Sequence, residues 1–275
     1  MIRIISLAVG AFFSLALLLA FGTGLFNFIT EPPAPTAEKL FVKHDLKPLK
    51  LASDGPFGKF DEAQLQRGFA VYQGVCASCH AIKQVAFRDL EKLGYNEAEV
   101  KAIASKATVS AKDPLTGEVK DRPGLPADKF PPVVYAGLGV PPDLSLITKA
   151  RHGGAAYVYS LLTGYEASQP AELVAKFPDS EIKPDSGLHY NPYFANLNIA
   201  MAPPLASDDM VTYSDGTPAT KDQMAKDVSA FLVWTAEPEL EKRHQTGFVW
   251  LLFMVFATVL GYMSYRNIWA EKKGH

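Results

Sequence analysis

The sequence predicts a mainly α-helical fold with long irregular loops and a C-terminal transmembrane helix, and three observations lead there. Two stretches, 61–72 and 220–237, repeat apolar residues at helical spacing behind N-capping residues. The chain is loop-rich between them, with 20 Gly and 20 Pro in 275 residues. Its hydrophobic residues collect in uncharged runs at the two ends.

Composition narrows the function classes. With 27 Lys and Arg against 29 Asp and Glu, the net charge of −2 excludes a strongly basic nucleic-acid binder, and 20% charged residues exclude a highly charged disordered chain. The two cysteines lie within one five-residue segment, so neither a disulfide scaffold nor a four-cysteine zinc or iron–sulfur site is available.

From the N-terminus, residues 4–30 carry no charge, follow Arg3 and precede Glu31. This run, residues 1–30 with its basic start, reads as a signal peptide or an N-terminal anchor. It is longer than an ordinary signal core and has no clean small-residue cleavage site. In either case residue 31 onward is exported, so residues 31–246 form an exported domain.

The next element is a helix. Asp61 is its N-cap, Leu65, Phe69 and Tyr72 share one face, and Gly68, four residues before Tyr72, leaves room on that face for a second helix. It runs into "CASCH" at 76–80. C-x-x-C-H is the attachment signature of c-type haem: two thiols one turn apart reach two vinyl groups of one porphyrin, and the following His lies under the iron. A thioredoxin-like redox pair would need a βαβ context, and half a zinc site would need a second ligand pair that the cysteine count forbids.

Such an iron needs a sixth ligand. The candidates are Met201, Met210, Met224, His44, His152, His189 and His244. Met224 belongs to a helix stripe. Met201 precedes Pro203 and Pro204, which stiffen an extended loop suited to presenting a thioether. A His/Met iron has a raised potential and no open site, which suits an electron carrier. At this level core filling is an equal reading of Met201.

Residues 101–140 read as a long irregular insertion and a docking surface, with seven prolines from Pro114 to Pro142. Between residues 161 and 220 eight acids (Glu166, Glu172, Asp179, Glu181, Asp185, Asp208, Asp209, Asp215) outnumber two bases (Lys176, Lys183). That bias would steer a positively charged partner, and a solvated polar surface is the plain alternative. "TKDQMAKDVSAFLVWTAEP" predicts a helix with a capping box from Thr220 to Gln223, a stripe of Met224, Val228, Phe231, Leu232 and Thr235, and a stop at Pro238.

The last element, residues 247–266, is the transmembrane helix. Its uncharged run ends at residue 265, Trp250 lies near one end, and Tyr262, Tyr265 and Trp269 lie near the other. A buried core helix is the alternative. The positive residues beyond it place the tail, 267–275, in the cytoplasm or matrix.

Several ordered blocks carry a resemblance: "RGFAVYQGVCASCH", "PPDLS" at 141–145, "ARHGGAAYVYSLLTGY" at 150–165, "NPYF" at 191–194, "MAPPL" at 201–205 and "DGTPAT" at 215–220. Together they resemble the cytochrome c1 family, the haem c subunit of the cytochrome bc1 complex. The resemblance implies one haem c covalently held by Cys76 and Cys79, with His80 and Met201 as iron ligands. It implies Arg151 and Tyr157 near the propionates and a Pro142 carbonyl to orient His80. His152 and His189 read as structural or surface residues. The implied role is electron transfer from the Rieske iron–sulfur protein to cytochrome c. The chain would hold no catalytic residue of its own, and cytochrome b would supply the quinone sites of a homodimeric ubiquinol:cytochrome c oxidoreductase. The setting would be the bacterial or mitochondrial inner membrane, with the haem domain on the periplasmic or intermembrane-space side. Two departures stand out: "VVYAGLGV" replaces an amide-rich stretch of some relatives, and no cysteine is spare for the loop disulfide of some bacterial members. A membrane-anchored monohaem cytochrome serving another respiratory enzyme, and a haem-based gas sensor, are the competing functions.

Overall fold

The computed structural model describes residues 2–112, 116–137, 139–178 and 187–270. Of the residues singled out above, Pro114, Asp179, Glu181, Lys183 and Asp185 lie outside the described residues, as do tail residues 271–275. The chain divides into two units, residues 1–42 and 43–275.

In the first unit, α1 (Ile2–Thr30) is apolar along its length with no residue buried, and is long enough to cross a membrane. A short α2 (Ala37–Phe41) follows, its N-cap Thr36 accepting from the Lys39 N–H.

The second unit is built around two crossing helices, α3 (Glu62–Val71) and a later helix over Lys221–Ala236. Asp61 caps α3 as its sequence predicts, accepting from the Gln64 N–H at 3.2 Å. A π-turn (Tyr72–Cys76) and a 3-10 helix (Phe87–Leu93) lead to α4 (Glu97–Ser105), where Asn96 and Glu99 form a reciprocal capping box. The hairpin of β1 (Thr108–Lys112) and β2 (Val119–Pro123) pairs antiparallel with Thr108 opposite Pro123. The 101–140 stretch is therefore less irregular than its Gly and Pro content suggests, because it opens with the end of α4 and holds this hairpin. The alternating exposure along β1 is the half-buried strand pattern that this proline-rich context obscured.

Next come α5 (Ile147–Ala150), α6 (Gly154–Thr163) and α7 (Ala171–Lys176), then the two-residue strands β3 (His189–Tyr190) and β4 (Asn198–Ile199). The helix α8 (Lys221–Ala236) ends before Pro238, and α9 (Leu240–Ala270) closes the described chain. Thr220 caps α8 through the Gln223 N–H, but the Gln223 side chain turns forward to Asp227 at 2.8 Å instead of back to the cap. Only half of the expected capping box forms, because the buried carboxylate of Asp227 needs that amide more.

The core is what the stripes foretold. Leu65, Phe69, Met224, Val228 and Phe231 are fully buried, each burial contributing about 1.5–3 kcal/mol. The Phe231 ring lies 5.6 Å from Phe69, 5.7 Å from Tyr72 and 5.7 Å from Trp234. At Gly68 a Cβ would sit 2.1 Å from the Asp227 carbonyl oxygen, so α3 and α8 cross at backbone contact.

Beyond Leu240, α9 has no buried residue, so it is not a core helix, and it is long and apolar enough to span a bilayer. Its stem is braced against the body. Glu237 takes Lys149 and Arg243, Glu239 takes Lys92, and Glu241 accepts from the Phe60 N–H at 2.9 Å.

Candidate functional site

The C-x-x-C-H segment begins inside the π-turn at the end of α3. The Ala77 N–H reaches back to the Tyr72 carbonyl at 2.8 Å, and the N–H groups of Cys79 and His80 donate to the Cys76 carbonyl at 3.1 and 2.9 Å. This tight coil is what puts the two thiols and the histidine in succession along one short arc. Both cysteines are free thiols. Burial, with Cys79 adding to it, pushes the Cys76 thiol up to about 12, so it stays protonated and is a poor partner for oxidation.

His80 is oriented from outside its own segment. Its Nδ1 lies 2.8 Å from the Pro142 carbonyl, the contact expected of that proline, which leaves Nε2 for other bonds. Pro142 is held by a second set of ties. Asp143 accepts from the N–H groups of Lys83 and Ser145, each at 2.9 Å, Ser145 accepts from the Gln84 N–H at 3.0 Å, and the Leu144 N–H donates to the Ala81 carbonyl at 2.8 Å. The Tyr72 hydroxyl donates to the His80 carbonyl at 3.0 Å. Burial first, then the neighbouring Cys76 and Asp143, push that phenol above its ordinary range, so it remains a donor. Asp143 was not singled out from sequence, and Tyr72 was read only as part of an apolar helix face. The D-x-S spacing in "PPDLS", a turn in which an Asx side chain takes a nearby N–H, was the available signal for Asp143.

Arg151 lies just past α5, where Gly153 and Gly154 (φ +84° and +55°) reverse the chain into α6. The guanidinium is exposed and forms no ion pair among the described residues. Tyr157, on the first turns of α6, is half-buried. Burial raises its phenol above the ordinary range, against the pull of nearby Arg151. These two lie on one helix-turn-helix, and burial, with nearby Tyr157 adding to it, raises the Tyr165 phenol above its ordinary range.

Met201 follows β4 by two residues and is half-buried. The Tyr165 hydroxyl donates to its carbonyl at 3.0 Å, a tie that sequence reading missed. The β3–β4 loop is fixed by Asn191, whose N–H meets the Leu197 carbonyl and whose amide donates to the Leu161 carbonyl, both at 2.8 Å. That explains the "NPYF" block, which anchors the loop to the end of α6. Of the other candidates, Met224 is sealed in the core, Met210, His44 and His152 are exposed, and His189 is half-buried in β3.

Residues 51–272 match the model of the cytochrome C1 family. The chain is 42% identical to the mitochondrial heme protein cytochrome c1 1 of Arabidopsis thaliana, over 94% of this chain and 83% of that one. It is 42% identical to cytochrome c1 of Rhodospirillum rubrum, over 80% of this chain and 85% of that one. It is also 42% identical to the cytochrome b-c1 complex catalytic subunit of Candida albicans, over 80% and 73% of the two chains.

Proposed function

This chain belongs to the cytochrome c1 family, and we propose that it carries one haem c bound through Cys76 and Cys79, with His80 and Met201 as the iron ligands. It is an electron-transfer haem subunit. The observation that carries the reading is the 2.8 Å contact of His80 Nδ1 with the Pro142 carbonyl. It orders the imidazole and leaves Nε2 free, which supports His80 as the residue that would meet the iron.

The remaining residues fit the group. Two free thiols stand three residues apart, and the Met201 thioether is carried on a proline-stiffened, Tyr165-tethered loop. Arg151, without an ion pair among the described residues, supplies a fork for a propionate, and Tyr157 supplies a neutral hydroxyl beside it. When bound, the haem supplies a one-electron couple. The protein's part would be to hold His80 and Met201 for the iron and to neutralise the propionates.

In this reading the chain sits in a cytochrome b-c1 complex, as the name of its Candida relative states for that protein. It takes electrons from the Rieske protein and delivers them to cytochrome c, contributing to ubiquinol:cytochrome c oxidoreductase activity without bond chemistry of its own. Its haem domain faces the periplasm or intermembrane space, anchored by α9. A lone anchored carrier is not favoured, since the relatives match over most of their length.

Difference spectra of the gently purified chain test both levels. A c-type band appearing with ascorbate and a b-type band only with dithionite is the expected pair; a c-type band alone would remove the complex. Met201→Leu should keep the haem attached and lower its potential sharply, as thioether ligation favours the ferrous state. An unchanged potential removes Met201 from the ligand set.

A further inference from the structure

Pro203 and Pro204, just after Met201, have no N–H to donate, so the loop they stiffen has few means of tying itself down. From residue 200 to residue 207 it carries a single hydrogen bond among the described residues, the one that the Met201 carbonyl accepts from the Tyr165 hydroxyl at 3.0 Å. Prolines restrict how the chain bends, but not where the bent chain lies. On one side the loop borders open space: Pro203, Leu205 and Ala206 line a cavity of 570 Å³ whose wall also includes Tyr165, His189 and Tyr190.

Tyr165 stands on firmer ground. Gly164 before it is packed so closely that a Cβ would lie 2.4 Å from the Tyr193 ring, and the Glu166 N–H after it donates to the Tyr190 carbonyl at 3.3 Å. These neighbours pin Tyr165 between the end of α6 and residues 190–193, the segment that Asn191 already fastens to Leu161. One hydroxyl thus joins a braced backbone to a loop that has room to give way.

We propose that Tyr165 is the positioning residue for the sixth ligand: its hydroxyl, by holding the Met201 carbonyl, keeps the thioether in place for the iron and keeps the loop out of the cavity. The proposal rests on Met201 being an iron ligand. It gives Tyr165 a part in electron transfer, since a thioether that stays in place favours the ferrous state and leaves less of the protein open to an added ligand.

The test uses the haem-loaded full chain in its own membranes, with imidazole as the probe, because imidazole competes with a thioether for oxidised iron; binding is read in the c-type band. Tyr165→Phe removes the hydroxyl and keeps the ring. It should raise the apparent imidazole affinity about fivefold, the factor by which loss of one hydrogen bond of ordinary net strength enlarges the fraction of protein with the loop displaced. Replacing Tyr165 by p-aminophenylalanine restores a donor and should return the affinity towards that of the unmutated chain. Tyr159→Phe is the control, since it removes a hydroxyl beside the same cavity that is bonded to Asp222 at 2.6 Å rather than to Met201, and it should leave the affinity unchanged. An unchanged affinity in Tyr165→Phe, an equal rise in Tyr159→Phe, or no return with p-aminophenylalanine overturns the proposal. So does haem loss in Tyr165→Phe that p-aminophenylalanine does not reverse. Met201→Leu separates the two levels. If it leaves both the potential and the imidazole affinity unchanged, Met201 is not a ligand, and the proposal falls with that reading. If it raises the affinity while Tyr165→Phe does not, Met201 keeps its role and only the positioning role of Tyr165 is lost.

Discussion

At position 68 a hydrogen stands where any other residue would drive a carbon into the Asp227 carbonyl oxygen, 2.1 Å away. Backbone oxygen cannot swing aside as a side chain can, so Gly68→Ala must part α3 from α8. The expected cost is about 2–3 kcal/mol, read as a lowered midpoint in urea; a midpoint within error of the unmutated protein would mean the helices do not cross there. The sequence made this legible, since a glycine one turn before Tyr72 on a buried face has few other uses. Asp143 was not legible in the same way, because its partners, the N–H groups of Lys83 and Ser145, lie on two segments. Burial opposes its ionisation, yet those donors outweigh burial and hold its carboxyl below the ordinary aspartate range. A depressed folded-state value stabilises the fold above the unfolded-state value and is lost as pH falls through the folded-state value. Acid below the usual aspartate range should therefore loosen the Pro142 segment from His80. Asp143→Asn should remove that acid-dependent step from the stability profile while lowering stability at neutral pH; a profile with the same acid step would assign it to another carboxylate.

Among the elements, α3 and α8 were readable because each carries an N-cap and an apolar stripe, and both stripes are buried as spaced. What the stripes could not show is the polar residue placed among them. Asp227 is fully buried on α8, and Arg67 Nε at 3.0 Å, Gln64 at 3.1 Å and Gln223 at 2.8 Å all converge on it from α3 and α8. Arg67 also reaches Asp215 at 2.6 Å, tying the "DGTPAT" loop to the same knot. A single sequence shows Asp227 as a charge interrupting a stripe, and only the crossing of the helices supplies its partners. Removing one member leaves the other charge buried and unpaired, so Arg67→Met should destabilise by about 3–5 kcal/mol. Replacing both, with Asp227→Leu added, should recover a large part of that loss. If the double variant is as unstable as the sum of the single ones, the pair does not act as a unit. The β1–β2 hairpin was missed for the opposite reason. Proline and glycine content was read as irregularity, whereas five-residue strands need only short alternating runs between such residues.

For the whole molecule, the acidic bias between residues 161 and 220 looks different once partners are assigned. Asp215 is committed to Arg67, Asp208 accepts from the Lys221 N–H at 2.7 Å at the start of α8, and Glu166 pairs with Lys43 at 3.4 Å. An acid paired with a cation, as Asp215 and Glu166 are, contributes less to a field at a distance, whereas exposed Asp208, bonded to a neutral N–H, keeps its charge. Glu172 and Asp209, both exposed and without an ion pair among the described residues, are left to face solvent. Composition alone weighted all these acids equally, because it cannot separate a carboxylate that pairs with a cation from one that projects a field. If this surface steers a cationic cytochrome c, the effect must act within about 8 Å at physiological salt and weaken as salt rises. Glu172→Gln with Asp209→Asn should slow cytochrome c reduction at low ionic strength and flatten its salt dependence, without changing thermal stability by more than about 0.5 kcal/mol each. Asp215→Asn should do the reverse, lowering stability while leaving the salt slope in place. Stopped-flow rates across a range of ionic strengths, paired with melting curves, distinguish the two classes of acid. A slope unmoved by the Glu172 and Asp209 substitutions would place the docking field on another face of the domain.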